Sequence, residues 1–431
     1  MAGKTRPPSG LSKLPSALAR PYGAAVPAAP GPAPVALSRT PYLDGLRGIA
    51  ILMVLAAHYL YVPYSPALHP GSWFLPFHRL LGVGWAGVDL FFVLSGFLLG
   101  GILLDHRAAP NLFRVFYLRR ACRILPVYFL FLSPFLIVPA LGALPALKTL
   151  LSTGEIPVWS YPIFVQNIVM TVKGSWGQQW ISATWSLAVE EQFYLVLPLL
   201  IRFAPLRQLP KILLGLALLA PALRCALHTW APAIHAEIGS YTLLPCRWDS
   251  LLLGALAAWA IRDGKTAAWL RQHSGFIRLG CLLLAGAALF LAWRSPHLYS
   301  IPMRTLGYSV FALLFASTVL GGHFGVLPEQ RLLEWSWLRG MGRISYAFYL
   351  VHMPIANLIF HATVGHTRSL DTPRDMALMT VSLAASLGAA ALSWKLLEKP
   401  ILDFGRRFSY CPATDLAGSV TSASRPAVIQ A

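Results

Sequence analysis

Apolar residues gather along this chain into ten stretches, near 46–63, 82–104, 122–141, 184–203, 210–229, 244–261, 276–293, 303–321, 341–361 and 376–397. Each approaches the ~20 residues a helix needs to cross a ~30 Å hydrocarbon layer. The pattern predicts an all-α, polytopic membrane bundle of about ten transmembrane helices. A shorter apolar stretch, 161–170, fits a re-entrant or interfacial segment. Residues 1–40 are rich in Pro, Ala and Ser, with basic residues and no acid. They read as a disordered tail, and a transit peptide would share that composition. The membrane domain is expected over 41–407. Residues 408–431 are expected to be a disordered tail, too short and too simple to fold alone.

Charge orients the bundle. With the N-terminus inside, the inner loops carry clusters such as Arg107, Arg114, Arg119 and Arg120, or Arg331, Arg339 and Arg343. The outer loops hold one or two cations each, among them Arg247, Arg304 and Arg368. That asymmetry predicts both termini in the cytoplasm. Composition agrees: 56% of the chain is hydrophobic and 12% charged, against about 25% charged in a soluble domain. Lys and Arg total 35 against 16 Asp and Glu. In a soluble protein this excess would suggest nucleic acid. Here the bias of inner loops accounts for it, so membrane lipids and no nucleic acid are the expected partners. The five cysteines form no CxxC, so neither a zinc site nor a redox pair is expected. Cys225 and Cys246 share the expected outer side and are the one pair placed for a disulfide.

Several spans carry polar groups at membrane depth. Arg47 and His58 are eleven positions apart, about 16 Å along a helix. An arginine at the inner surface therefore puts His58 near mid-membrane. His352 lies at similar depth beyond Arg343. Glu190 and Glu191 sit about two turns into the fourth span, and Asp89 and Ser95 lie in the second. Ionisable groups at that depth usually face a bundle interior or a water-filled cavity. Single ones also serve as interhelical glue. Spread over four spans, they read as a reaction or conduction cavity. Adjacent helical residues point about 100° apart, so one glutamate is expected to face the cavity and the other a partner cation or the interface. At the inner mouth, Arg120 and Arg123 share one helix face, a pattern that suits phosphate as well as ordinary inner-loop flanking.

Taken in order, these stretches resemble the acyltransferase 3 family of integral-membrane acyltransferases. The resemblance rests on YLDGLRGIAILMVLAAHY (42–59), GVDLFFVLSGFLLG (87–100), FYLRRACRILPVYF (116–129), TWSLAVEEQFYLVLP (184–198), RISYAFYLVHMPI (343–355) and LEKP (397–400). It implies transfer of an acyl group, most simply acetyl, from cytosolic acyl-CoA to a hydroxyl of a carbohydrate, glycan, glycolipid or small molecule. It implies a bacterial inner membrane, and no metal. Arg47 and His58 match the family's essential Arg-x10-His motif. Arg120 and Arg123 match the Arg-x-x-Arg motif associated with the acyl donor. The expected site is therefore His58 with Glu190 and Glu191 for catalysis, and Arg47, Arg120 and Arg123 for acyl-CoA. His58 fits a general base or a covalent acyl carrier, with Glu190 or Glu191 as its orienter; His352 fits a second base or a core hydrogen bonder. The sequence departs from some members in lacking a C-terminal hydrolase-like domain, which leaves the acceptor open, and in its longer N-terminal lead. A transporter or proton-coupled carrier is the competing class, because polar mid-membrane residues suit one equally well.

Overall fold

The computed structural model describes residues 40–64, 74–140, 151–230, 235–295, 297–328 and 330–412. All of them belong to one compact unit, Val35–Ala431. Residues 1–39 of the expected tail 1–40, and residues 413–431 of the expected tail 408–431, lie outside the described residues. Ten long helices follow one another: α1 (Pro41–Leu55), α2 (Gly87–Asp105), α3 (Leu112–Ala140), α4 (Trp185–Phe203), α5 (Leu209–Trp230), α6 (Leu244–Ala260), α7 (Ser274–Arg294), α8 (Tyr308–Phe324), α9 (Ser336–Val364) and α10 (Pro373–Ser393). Three of them adjoin π-helical turns: Ala56–Tyr61 after α1, Met303–Gly307 before α8 and Trp394–Glu398 after α10. No strand occurs among the described residues.

Among the described residues, eight helices are long and apolar enough to cross a membrane. The two that fall short are α4, which carries Glu190, Glu191 and Arg202, and α6, which has 17 residues and holds Arg247 and Asp249. Both form at the expected places; α4 falls short through its three charged residues and α6 through its length. The third span begins earlier than expected, at Leu112. Arg120 and Arg123 therefore lie more than two turns inside α3 rather than at its mouth. Stretch 161–170 forms a short helix, Gln166–Lys173, tied to α4 where Gln166 Nε2 donates to the Thr184 carbonyl (2.9 Å).

In lipid, helices gain little from burying apolar surface against one another, so close packing and polar contacts hold the bundle. Two seams show this. Where α2 meets α6, a Cβ on Gly96 would strike the Leu251 carbonyl, and one on Gly254 would strike the Val93 carbonyl. Where α1 meets α9, Gly342 lies directly against the Asp44 carbonyl. Helix α7 sits at the rim, with only Ile277, Ala288 and Ala292 buried and Leu282, Phe290 and Trp293 exposed.

Asp89 does not join a cavity. It is fully enclosed and pairs with Arg247 (2.7 Å), itself fully enclosed, and accepts from Ser250 Oγ (2.7 Å). Arg247 is thus part of α6 rather than an outer-loop cation, and its guanidinium lies over the Tyr308 ring (4.3 Å). Beside it, Arg224 of α5 pairs with Asp249 (3.0 Å), which also accepts from Ser309 Oγ of α8 (2.7 Å). This polar knot ties α2, α5, α6 and α8 together. Removing one partner of such a pair strands a buried charge, at a cost of about 3–5 kcal/mol. All five cysteines are free: Cys246 is buried and Cys225 exposed, so they are not paired.

The start of the expected tail 408–431 makes contacts with the bundle. The Phe408 carbonyl accepts from Arg119 Nε (2.8 Å), and the Tyr410 ring stacks on His106 at 4.0 Å. The pair of motif arginines is thereby separated from Arg119, which turns outward to this segment.

Candidate active site

At one end of the bundle α1, α3, α9 and the helix Lys399–Gly405 diverge around a cavity of about 570 Å³. Its wall carries Arg47, Arg123, Arg339, Arg343, Lys399 and Arg406, with Asp44 and Asp403 as the acids. Arg47 holds Asp44 at 3.4 Å, one turn away on α1. The cavity adjoins a narrower chamber of about 110 Å³, and the two share Arg47, Leu98 and Arg123. Ser95, Arg120, Ser186, Glu190, Tyr194 and Tyr349 line the chamber.

Arg47, Arg120, Arg123 and Glu190, all expected site residues, therefore meet around one passage. Glu190 faces the chamber and accepts from Tyr194 Oη (3.1 Å), which in turn shares a hydrogen bond with Ser95 Oγ (2.9 Å). Glu191 points off the chamber, with Oε1 enclosed and no hydrogen bond among the described residues. Arg339, Arg343, Lys399 and Arg406 were not among the expected site residues, although Arg343 and Lys399 fall in matched stretches. In sequence they look like flanking cations, and only the approach of α9 to the helix Lys399–Gly405 makes them one wall.

His58 finds a different partner from the one expected. Neither glutamate bonds to it. Its Nδ1 lies 2.9 Å from His352 Nε2, with the two rings stacked at 5.1 Å. The other nitrogen of His352, Nδ1, faces the carbonyls of Tyr349 (2.8 Å) and Phe348 (3.1 Å). Carbonyls only accept, so a neutral His352 carries its proton on Nδ1 and offers a lone pair at Nε2. His58 must then donate from Nδ1, which leaves the Nε2 lone pair of His58 free. His352 is fully enclosed, whereas His58 keeps accessible surface. His352 is thus placed to fix the tautomer of the partly accessible His58, and neither ring lines the cavity or the chamber. Tyr349 joins the two regions: its carbonyl holds His352, and its hydroxyl, 2.7 Å from Ser186 Oγ, sits in the chamber wall. Among the described residues no group of three or more His, Cys, Asp or Glu is placed to hold a metal.

A family model described as "Acyltransferase domain" matches residues 40–397. The chain belongs to this acyltransferase family. With its eight apolar helices it is a multi-pass membrane protein. It is 27% identical over 380 residues to the peptidoglycan O-acetyltransferase OatA of Listeria monocytogenes, covering 84% of this chain and 55% of that protein. It is 26% identical over 419 residues to the acyltransferase MdmB of Streptomyces mycarofaciens, covering 90% of this chain and 100% of that one. To the O-acetyltransferase OatA of Staphylococcus aureus it is 25% identical, covering 86% of this chain and 59% of the other. The chain thus spans little more than half the length of the two OatA relatives. No solved structure matches it.

Proposed function

We propose that the protein transfers an acyl group, most simply acetyl, from acyl-CoA to a hydroxyl of a carbohydrate-type acceptor at a bacterial plasma membrane. The observation that carries this reading is the His58–His352 pair, which leaves one free imidazole lone pair at mid-bundle. The cation-lined passage supports it from the donor side. The phosphates of CoA suit a wall built from Arg123, Arg339, Arg343, Lys399 and Arg406, because guanidinium groups hold phosphate oxygens two at a time. The thin pantetheine arm suits the narrower chamber. Glu190 offsets part of that positive charge and holds Tyr194. In this reading the basic end faces the cytosol.

His58 Nε2 takes the proton of the acceptor hydroxyl as its oxygen attacks the thioester carbonyl. The tetrahedral intermediate then collapses with cleavage of the C–S bond. The thiolate leaves and takes the proton from His58, giving CoA and the acyl ester. Such a base contributes about 10²–10⁴-fold. Relatives named as O-acetyltransferases support a hydroxyl acceptor, and the one named for peptidoglycan supports a glycan. The carrier reading has no observation in its favour.

The test is a mass-spectrometric comparison of extracted glycans, glycolipids and secreted small molecules. Cells would make the intact protein, its His58→Ala form at equal membrane abundance, or neither. One acyl mass gained only with the intact protein is the expected result. The same gain with His58→Ala removes His58 from the centre, and no gain in any cell removes acyl transfer.

A further inference from the structure

His58 lies in the π-helical turn Ala56–Tyr61. There the chain bonds five residues back, as when Val62 N donates to the Ala57 carbonyl (2.9 Å). The next carbonyl, that of His58, would be met by the N–H of residue 63. Residue 63 is proline and has none. A carbonyl orphaned inside the bundle needs another donor. It receives one from Arg368, in the loop between α9 and α10, whose Nη1 donates at 2.9 Å. The same guanidinium gives its Nε to Asn357 Oδ1 of α9 (2.8 Å), and Leu370 N donates to the Pro63 carbonyl (3.2 Å).

We infer that Arg368 is a positioning residue for acyl transfer: it clamps the His58 turn of α1 to α9 and so sets the separation of His58 from His352. Asn357 and His352 stand on the same helix, so a bidentate cation between Asn357 and the His58 carbonyl fixes one ring against the other. Long α1–α9 packing ends near this point, since the first helix becomes a π turn and then a loop. The guanidinium is nine-tenths enclosed. Burial pulls its pKa down to about 10, so it stays a cation at neutral pH and keeps both donors. A π turn is often a functional feature of a helix. Here it turns the His58 carbonyl towards a loop that the sequence presents as an ordinary outer-loop cation.

The inference rests on the acyl-transfer reading, and the experiment separates the two. Purified full-length protein in detergent or proteoliposomes would be assayed with acetyl-CoA and the acceptor identified by mass spectrometry. Arg368→Ala, Arg368→Lys, Asn357→Ala and the Arg368→Ala/Asn357→Ala double variant are compared per folded molecule. A shift of about 1 Å in a reacting group can cost about 10²-fold. Arg368→Ala is therefore expected to lower kcat about ten- to a hundredfold, with the KM for acetyl-CoA within about twofold. Guanidinium ion added to Arg368→Ala should restore part of the rate. Arg368→Lys should keep a smaller part of it, because one ammonium does not span both acceptors. The double variant should be no worse than Arg368→Ala alone. A kcat per folded molecule within about twofold of the parent overturns the clamp. So does a double variant whose loss is the product of the single losses. If the intact protein transfers no acyl group, the proposed function fails, and the clamp is read by hydrogen exchange instead. Exchange faster in Arg368→Ala only at residues 59–64 and 370 upholds it, and an unchanged pattern overturns it.

Discussion

Replacing His352 by leucine tests the two-imidazole arrangement most directly. The side chain is fully enclosed, and it makes one bond to His58 Nδ1 (2.9 Å) and two to main-chain carbonyls. Leucine fills similar space but takes no proton from His58. The Nδ1–H of His58 is then left without its acceptor, at a cost of about 1–3 kcal/mol for an unpaired buried group. At 1.36 kcal/mol per tenfold, that is about 5- to 150-fold against the tautomer that frees Nε2. Loss of ring orientation acts in the same direction. The expected result is a kcat for acetyl transfer lowered by about that factor, with the acetyl-CoA KM nearly unchanged, because His352 lines neither the cavity nor the chamber. His352→Gln, whose amide oxygen can accept from His58, should fall less. Initial rates of labelled acetyl transfer, normalised to folded protein in detergent, provide the measurement. A His352→Leu protein within about twofold of the parent would refute the tautomer argument, since the bond to His352 would then be irrelevant to the base.

The remaining expectations follow from the same geometry. Arg123 borders both the cavity and the chamber, and a hydrogen bond to a charged group contributes about 1.5–3 kcal/mol. Arg123→Gln should therefore raise the acetyl-CoA KM about 10- to 150-fold while sparing the acceptor KM; an effect confined to kcat would place Arg123 outside donor binding. Asp89→Asn should destabilise the bundle by about 3–5 kcal/mol by leaving Arg247 unpaired. The Asp89→Leu/Arg247→Met double variant should recover much of that loss in mixed-micelle unfolding. A single variant as stable as the parent would show the pair to be dispensable.

A good part of this protein was legible in its sequence, for reasons specific to membranes. Lipid offers no partner for a backbone N–H or carbonyl, so a ~20-residue apolar run has little alternative to a helix. Long helices form at the predicted stretches, the polar α4 and α6 included, and among the described residues eight are long and apolar enough to cross a membrane. The same constraint makes an ionisable group at depth conspicuous, which is why His58, Glu190 and the arginines of α3 stood out. What tertiary structure decided was which of these groups meet. Helical spacing states which face a residue occupies but not which helix stands opposite. Asp89 looked like a cavity acid until Arg247 of α6 was found against it, and Glu190 looked like an orienter of His58 until α9 delivered His352. Arg339, Arg343, Lys399 and Arg406 became one wall only where separate helix ends converge. Arg368 carried no sequence signal at all. Its role depends on a carbonyl left open by Pro63 in a π turn, and on a loop folded back from more than 300 residues away. The chain's pattern settles where helices lie in the membrane; long-range contacts settle which polar groups share a site, because only they bring distant residues within bonding distance.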